Sequence, residues 1–308
     1  MVQTAEQQRI TQLIQLDDKS DNIIQGYYQR ALEQIRNNLN QFYIEYATAT
    51  GLSVNEVEQR VSKWDVQQFK QAINTLDNEL SDSDKETKQY VKTREKVAKV
   101  QGSLNNRRYM LMGLIGLATL TASVRANKYA KQRISNDLTD EYSFLNADRK
   151  TQYTMSERLP DYVGNLSSSI WNTNDALNSS IDTLINKKLA GNGINKADMQ
   201  QLFSSMKSIG SQKNSIFNNI EQAQYNAQRV IRTESARAID AATMEHYRNH
   251  YSNVHSRFIN IITEPGACSK CLAYASDGPY SIDDAPDLPI HPNCRCHKEV
   301  TSRLTAEI

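Results

Sequence analysis

The stretch 268-CSKCLAYASDGPYSIDDAPDLPIHPNCRCH-297 holds every cysteine of the chain. Cys268 and Cys271 form a C-x2-C pair. After a loop come His291-Pro-Asn-Cys294-Arg-Cys296-His297, and no cysteine precedes Cys268. Thiols placed for packing would scatter, and a disulfide framework would not leave most of the chain unstapled. The pattern reads as one small metal clip, with zinc as the expected ion. The C-x2-C pair supplies two ligands from one turn. The other two come from His291, Cys294, Cys296 or His297. Residues two apart on a strand share a face, so Cys294 and Cys296 on a short strand favour an all-cysteine site. His291 in place of Cys294 is the competing arrangement. A closed site of this kind is structural, and in so small a module the metal supplies much of the folding energy. Cys294 with His291 or His297 is the nucleophilic alternative. It lacks a nucleophile motif and an orienting partner, so no catalytic residue and no enzymatic activity are expected.

Outward from this stretch the composition changes. Five of the six prolines (Pro265, Pro279, Pro286, Pro289, Pro292) lie in or beside it, and only Pro160 lies upstream. Proline breaks helix interiors, so its absence permits long helices upstream and its clustering marks loops downstream. The 308 residues carry 36 basic and 35 acidic side chains, a net charge of +1. Nothing global attracts the chain to nucleic acid or membrane, and any such contact needs a local patch. Mean hydropathy is −0.65, low for a compact enzyme. The expected fold is mainly α: an elongated multi-helix body with a small C-terminal α+β zinc-clipped module. Three regions are read: a helical region 1–159, a middle helical region 160–214, and 215–308 with a long helix and the metal module. The first residues lack a basic and apolar signal pattern, so secretion is not expected, and reduced thiols suit synthesis in a cytoplasm.

Ile24, Tyr28, Leu32, Ile35, Leu39, Phe42 and Tyr46 form an apolar stripe on one helix face. Gly51 is placed to end that helix, and Ser53-Val54-Asn55-Glu56 is a capping box for a short one with Val57 and Val61. Trp64, Phe69, Ile73, Leu76 and Leu80 suggest another helix. Ser81-Asp82-Ser83-Asp84 is a turn that caps a helix from about Lys85, with a break near Gly102. The apolar run Tyr109 to Val124 is shorter than the roughly 20 residues a bilayer span needs and reads as a buried helix, with transient membrane contact as its alternative. Pro160 and Gly164 mark a boundary. Asn174 caps a helix with Leu177, Ile181, Leu184 and Ile185. A Gly191-Asn192-Gly193 turn precedes a helix capped by Asn195, carrying Leu202, Phe203, Met206 and Ile209. A long helix spans 215–250. Residues 257–262 read as a strand, Asp277-Gly278 as a hairpin-type turn, and Cys294-Arg-Cys296 as part of a second short strand.

Two groups of charge need a role. Arg232 and Glu234 stand two apart on the long helix, so they do not face each other and should take different partners. With Arg237 they read as structural or interaction residues on a salt-bridged helix docked against the metal module. Arg107, Arg108, Arg125, Lys128, Lys131 and Arg133 flank and follow the apolar run. They are candidates for phosphate contact, but at this net charge a solvated helix face is the simpler reading.

The order Arg229-Val-Ile-Arg232-Thr233-Glu234-Ser-Ala-Arg237, Cys268-Ser-Lys-Cys271, Asp277-Gly278 and His291-Pro-Asn-Cys294-Arg-Cys296 resembles the phage head-morphogenesis, or Mu F-like minor head protein, family. Ser169-Ile170-Trp171-Asn172 and the Gly-x-Gly turn that follows look similar too. The resemblance covers about residues 160 to 298 and departs at Ala267 and Ser169, neither a proposed ligand. It implies a minor capsid protein of a tailed phage, made in the bacterial host cytoplasm and carried in the virion near the portal. Its implied partners are the portal protein and the inner capsid or scaffold. Its implied roles lie in head assembly and in genome packaging or ejection. Some relatives bind DNA, so a nucleic-acid-binding protein travelling with the genome is the alternative. Some relatives carry toxin or transferase domains, and none is expected after Cys296 here.

Overall fold

Upstream of the prolines the chain forms long helices. The computed structural model describes residues 3–48, 61–104, 106–189, 202–203, 215–251 and 256–302. Of these, 79% are helical, in seven helices. They are α1 (Ala5–Thr48), α2 (Lys63–Leu80), α3 (Lys85–Ser103), α4 (Arg107–Leu145), α5 (Arg149–Leu189), α6 (Ile216–Tyr251) and the short α7 (Ser269–Asp277). Strands β1 (Phe258–Ile262) and β2 (His297–Thr301) pair antiparallel, with Ile259 opposite Val300. The chain is thus mainly α with a small C-terminal α+β module.

The chain divides into two compact units. One comprises Met1–Asn22, Tyr129–Ser168 and Gln228–Ile308; the other comprises Ile23–Lys128 and Ser169–Ala227. In the second unit the stripe Ile24, Tyr28, Leu32, Ile35, Leu39 and Phe42 is buried. So is the apolar run of α4, where Leu111, Leu114, Ile115, Leu117 and Leu120 have almost no exposure. Among the described residues α4 alone is long and apolar enough to cross a membrane, yet 78% of its most apolar window is buried within the protein. The ends of the helices are tied by polar groups. Asp84 accepts from the Thr87 amide at the start of α3. Ser62 and Asp65 form a reciprocal capping box at α2, and Asp65 also pairs with the buried Arg107 at 2.9 Å.

The basic residues of this stretch are engaged within the protein. Arg108 donates to Asn186 at 2.7 Å, Arg125 pairs with Glu79 at 2.8 Å, and Lys128 pairs with Asp82. Trp171 stacks on Tyr90 with ring centroids 4.3 Å apart. The Tyr90 hydroxyl donates to Asp175, whose carboxylate also takes Arg94 at 2.6 Å. The tryptophan motif therefore serves interhelical packing.

Four local expectations are corrected. Helix α5 runs through Pro160 and Gly164 without a break. Pro160 sits on its exposed face, while Met155 and Leu166 are buried on either side, and that packing offsets the lost backbone bond. Asn174 is no cap but a buried residue inside α5, accepting from Ser123 and donating to Tyr90. Asp277-Gly278 is the C-terminal end of α7 rather than a hairpin turn. The second strand starts at His297, after the cysteines. Gly51, the Ser53–Glu56 box, Val57, Gly191–Gly193, Asn195, Met206 and Ile209 lie outside the described residues.

In the second unit Asp182 of α5 is half-buried, with no hydrogen bond or ion pair among the described residues, and burial pushes its carboxyl up to about 6. An acid whose folded pKa lies above its unfolded value of about 3.9 costs stability at neutral pH. That cost disappears as pH falls below the unfolded value. Asp182→Asn is expected to stabilise the protein at pH 7 by about 1 kcal/mol, allowing for the solvent that reaches the side chain. It should change nothing near pH 3.5. Urea midpoints at the two pH values check this; equal shifts at both would contradict it.

Candidate metal centre

Two turns of the same design bring the cysteine pairs together. In Glu264-Pro265-Gly266-Ala267 the Ala267 amide bonds to the Glu264 carbonyl, and Gly266 has φ 73°. In His291-Pro292-Asn293-Cys294 the Cys294 amide bonds to the His291 carbonyl, and Asn293 has φ 71°. Proline at the first central position and glycine or asparagine with positive φ at the second is the type II pattern. The first turn delivers Cys268 as the N-cap of α7, with Cys271 in the opening turn of that helix. The second delivers His291 and Cys294 from the opposite side.

Two groups of donor atoms result, Cys268 with Cys271 and His291, and Cys271 with Cys294 and Cys296. Within each, all ligand atoms lie within 4.8 Å of one another. Cys271 Sγ belongs to both, 3.2 Å from His291 Nε2 and 3.7 Å from Cys294 Sγ. Cys268 is exposed, while Cys271, Cys294 and Cys296 are buried. The last three pack with Ile261 and Leu288 in a small apolar cluster, against Tyr274, Tyr280 and Ile290. His291 Nδ1 lies 2.8 Å from the Pro292 carbonyl. A carbonyl only accepts, so Nδ1 carries the proton and the Nε2 lone pair faces the thiols, the tautomer a metal ligand needs.

Thiol acidity reflects the crowding. Backbone amides at the start of α7 lower Cys268. A hydrogen bond from Cys296 draws Cys294 down to about 5. Burial and the neighbouring Cys294 push Cys271 up to about 12, and Cys296 is raised as the donor to Cys294. Neighbouring thiolates cannot all ionise without a counter-charge, and a cation supplies one. Soft thiols with one imaginable imidazole seat are a donor set that fits a metal ion. His297 is not part of it: Nε2 lies 3.0 Å from Glu141 and Nδ1 lies 3.0 Å from the Lys298 carbonyl.

The loop is mounted on α6. Thr233 Oγ1 accepts from the Asn293 amide at 3.2 Å. Glu264 accepts from the Arg295 amide at 2.9 Å and pairs with Arg232 at 2.8 Å. Arg295, between two cysteines, turns its side chain away from them and is 1% exposed. It grips Asp17 through Nε at 2.7 Å and a terminal nitrogen at 2.5 Å, and donates to Ser235 at 3.0 Å. Arg133 joins at 3.3 Å from Asp17 and 2.7 Å from Asp137, and Ser235 bonds to Asp137. Further along, His297 meets Glu141, which also takes Arg9 at 3.0 Å, and Lys298 meets Asp240 at 2.8 Å. Asp240 accepts from the Leu288 amide as well. Among the described residues Glu234 pairs only with the exposed Arg237 on its own helix. Burial raises its carboxyl against the pull of Arg237.

Arg232 and Glu234 thus face different partners. The residues that sequence reasoning missed are Asp17, Asp137, Glu141, Asp240, Glu264 and Arg295. Only Arg295 carried a signal, its place between two candidate ligands. Removing one member of a buried pair leaves the other charge stranded, a cost of about 3–5 kcal/mol. Asp17→Ala is expected to destabilise the protein by that amount in denaturant unfolding, while Asp18→Ala, at an exposed neighbour, should stay within about 0.5 kcal/mol. Similar losses in both variants would count against the network. No family model, curated protein or solved structure matches the chain, so the site is read from its own geometry.

Proposed function

We propose that this chain is a minor head protein of a tailed phage. Its C-terminal module is a zinc-stapled docking unit, and its helical body engages the portal and inner capsid during head assembly and genome packaging or ejection. The supporting observation is that Arg232, Thr233 and the Cys/His segments among the residues carrying the resemblance are joined by direct contacts. Arg232 and Thr233 of α6 hold Glu264 and the Asn293 amide. Those contacts position the segment from His291 to Cys296, which with Cys268 and Cys271 gathers the donor atoms.

Zinc is the ion this reading assigns, because thiolates and a neutral imidazole suit a four-coordinate structural site. The ion joins the turn before α7 to the turn before β2, closing a module whose own apolar cluster is small. Four seats and five donors leave one spare among Cys268, Cys271, His291, Cys294 and Cys296.

One zinc per chain is expected from elemental analysis of the purified protein. Cys271→Ser, which removes the thiol common to both donor groups, should abolish binding and lower the melting temperature. Among Cys268→Ser, His291→Ala, Cys294→Ser and Cys296→Ser, the variant that keeps stoichiometric zinc identifies the spare donor. Absence of metal from protein prepared without chelators would overturn the stapled module. Separately, the protein should co-purify with the portal of its phage, and loss of its gene should yield heads of reduced infectivity. Full infectivity without it would remove the proposed role.

A further inference from the structure

The second unit contains a groove that the metal module does not explain. Its lining includes Arg94 and Val97 of α3, Gly116 and Leu117 of α4, and Asp175 and Asp182 of α5. Its volume is about 180 Å³. Small-molecule sites usually enclose roughly 300–1,000 Å³, so this space suits one or two side chains better than a free cofactor.

Two features define what would fill it. The first is apolar. Val97, Val100 and Leu104 are 56%, 52% and 52% exposed. Their spacing of three and four residues places Val97 and Val100 of α3 and its C-cap Leu104 on one side over about two helical turns, roughly 10 Å, starting from Val97 at the groove. A run of large exposed apolar side chains beside a groove marks an interaction surface. The second is electrostatic. Asp175 is neutralised by Arg94, which also lies over the Tyr90 ring. Asp182 has no such partner: it is half-buried, and no described residue bonds or pairs with it. A desolvated carboxylate without a counter-charge is unfavourable until a cation reaches it.

We propose that this groove docks an amphipathic helix of a partner protein. Its apolar stripe lies along Val97, Val100 and Leu104, and a lysine or arginine one turn away enters the groove to pair with Asp182. Helix-in-groove recognition uses such spaced anchors, and the cation supplies register and partner choice. An anionic lipid surface does not fit as well, because the groove offers it a carboxylate.

The proposal is independent of the metal site and is tested on the full chain. The probe is a fluorescein-labelled 18-residue amphipathic leucine-lysine helix bearing a photo-crosslinking benzophenone, with a leucine-glutamate helix of the same pattern as control. The lysine peptide is expected to bind and to crosslink to α3, α4 or α5, with the glutamate peptide at least tenfold weaker. Asp182→Asn should weaken the lysine peptide about tenfold. Gly116→Leu should block it; a Cβ at Gly116 meets nothing within 4 Å, and circular dichroism of the variant checks that the helices are kept. Binding unaffected by both substitutions, or crosslinks confined to other elements, would overturn the proposal. So would displacement of the peptide by phosphatidylglycerol vesicles that themselves bind through Val97 and Leu104, which would assign the surface to a membrane.

Discussion

The pairing of Arg295 with Asp17 is the contact on which the first unit depends. A guanidinium flanked by two candidate metal ligands is carried into a nearly dry interior, where a bidentate carboxylate receives it. Either charge alone would be costly there. Together with Arg133, Asp137 and Ser235 they form a connected buried network. Such networks contribute little net stability compared with apolar packing, but they penalise any other arrangement. The cysteine loop is therefore held in one position against α6 and the beginning of α1.

The candidate donors and the α6 residues Arg232 and Thr233 are thereby joined by direct contacts. Backbone direction makes Cys294 and Cys296 face the donor cluster while Arg295 faces the acidic interior. Glu264 bridges the two sides by accepting the Arg295 amide and pairing with Arg232. The ion network and the candidate ligands thus share the backbone of residues 294–296 and the Glu264 carboxylate.

Much of the fold was legible in advance. The existence of α2, the extents of α3 and α6 and the strand β1 follow from apolar spacing, capping residues and β-forming side chains. The errors share a cause. Pro160 and Asn174 were read by local preference as a break and a cap, yet burial on both sides of them keeps α5 whole. Asp277-Gly278 follows helix α7 rather than joining strands, because Cys268 begins a helix that the pattern C-x2-C does not announce. Local propensity loses where long-range packing supplies more free energy.

The sequence by itself determined the helical class, the location of the module and the identity of the five candidate donors. Proline exclusion, thiol clustering and residue chemistry are properties of the chain. Only the tertiary structure decided which charges are buried and with whom. Asp17 and Arg295 are 278 positions apart, and no periodicity or spacing links residues at that distance. It also decided that His297 lies against Glu141, and that Asp182 has no partner among the described residues, because partnership of a charged group depends on what the fold brings beside it.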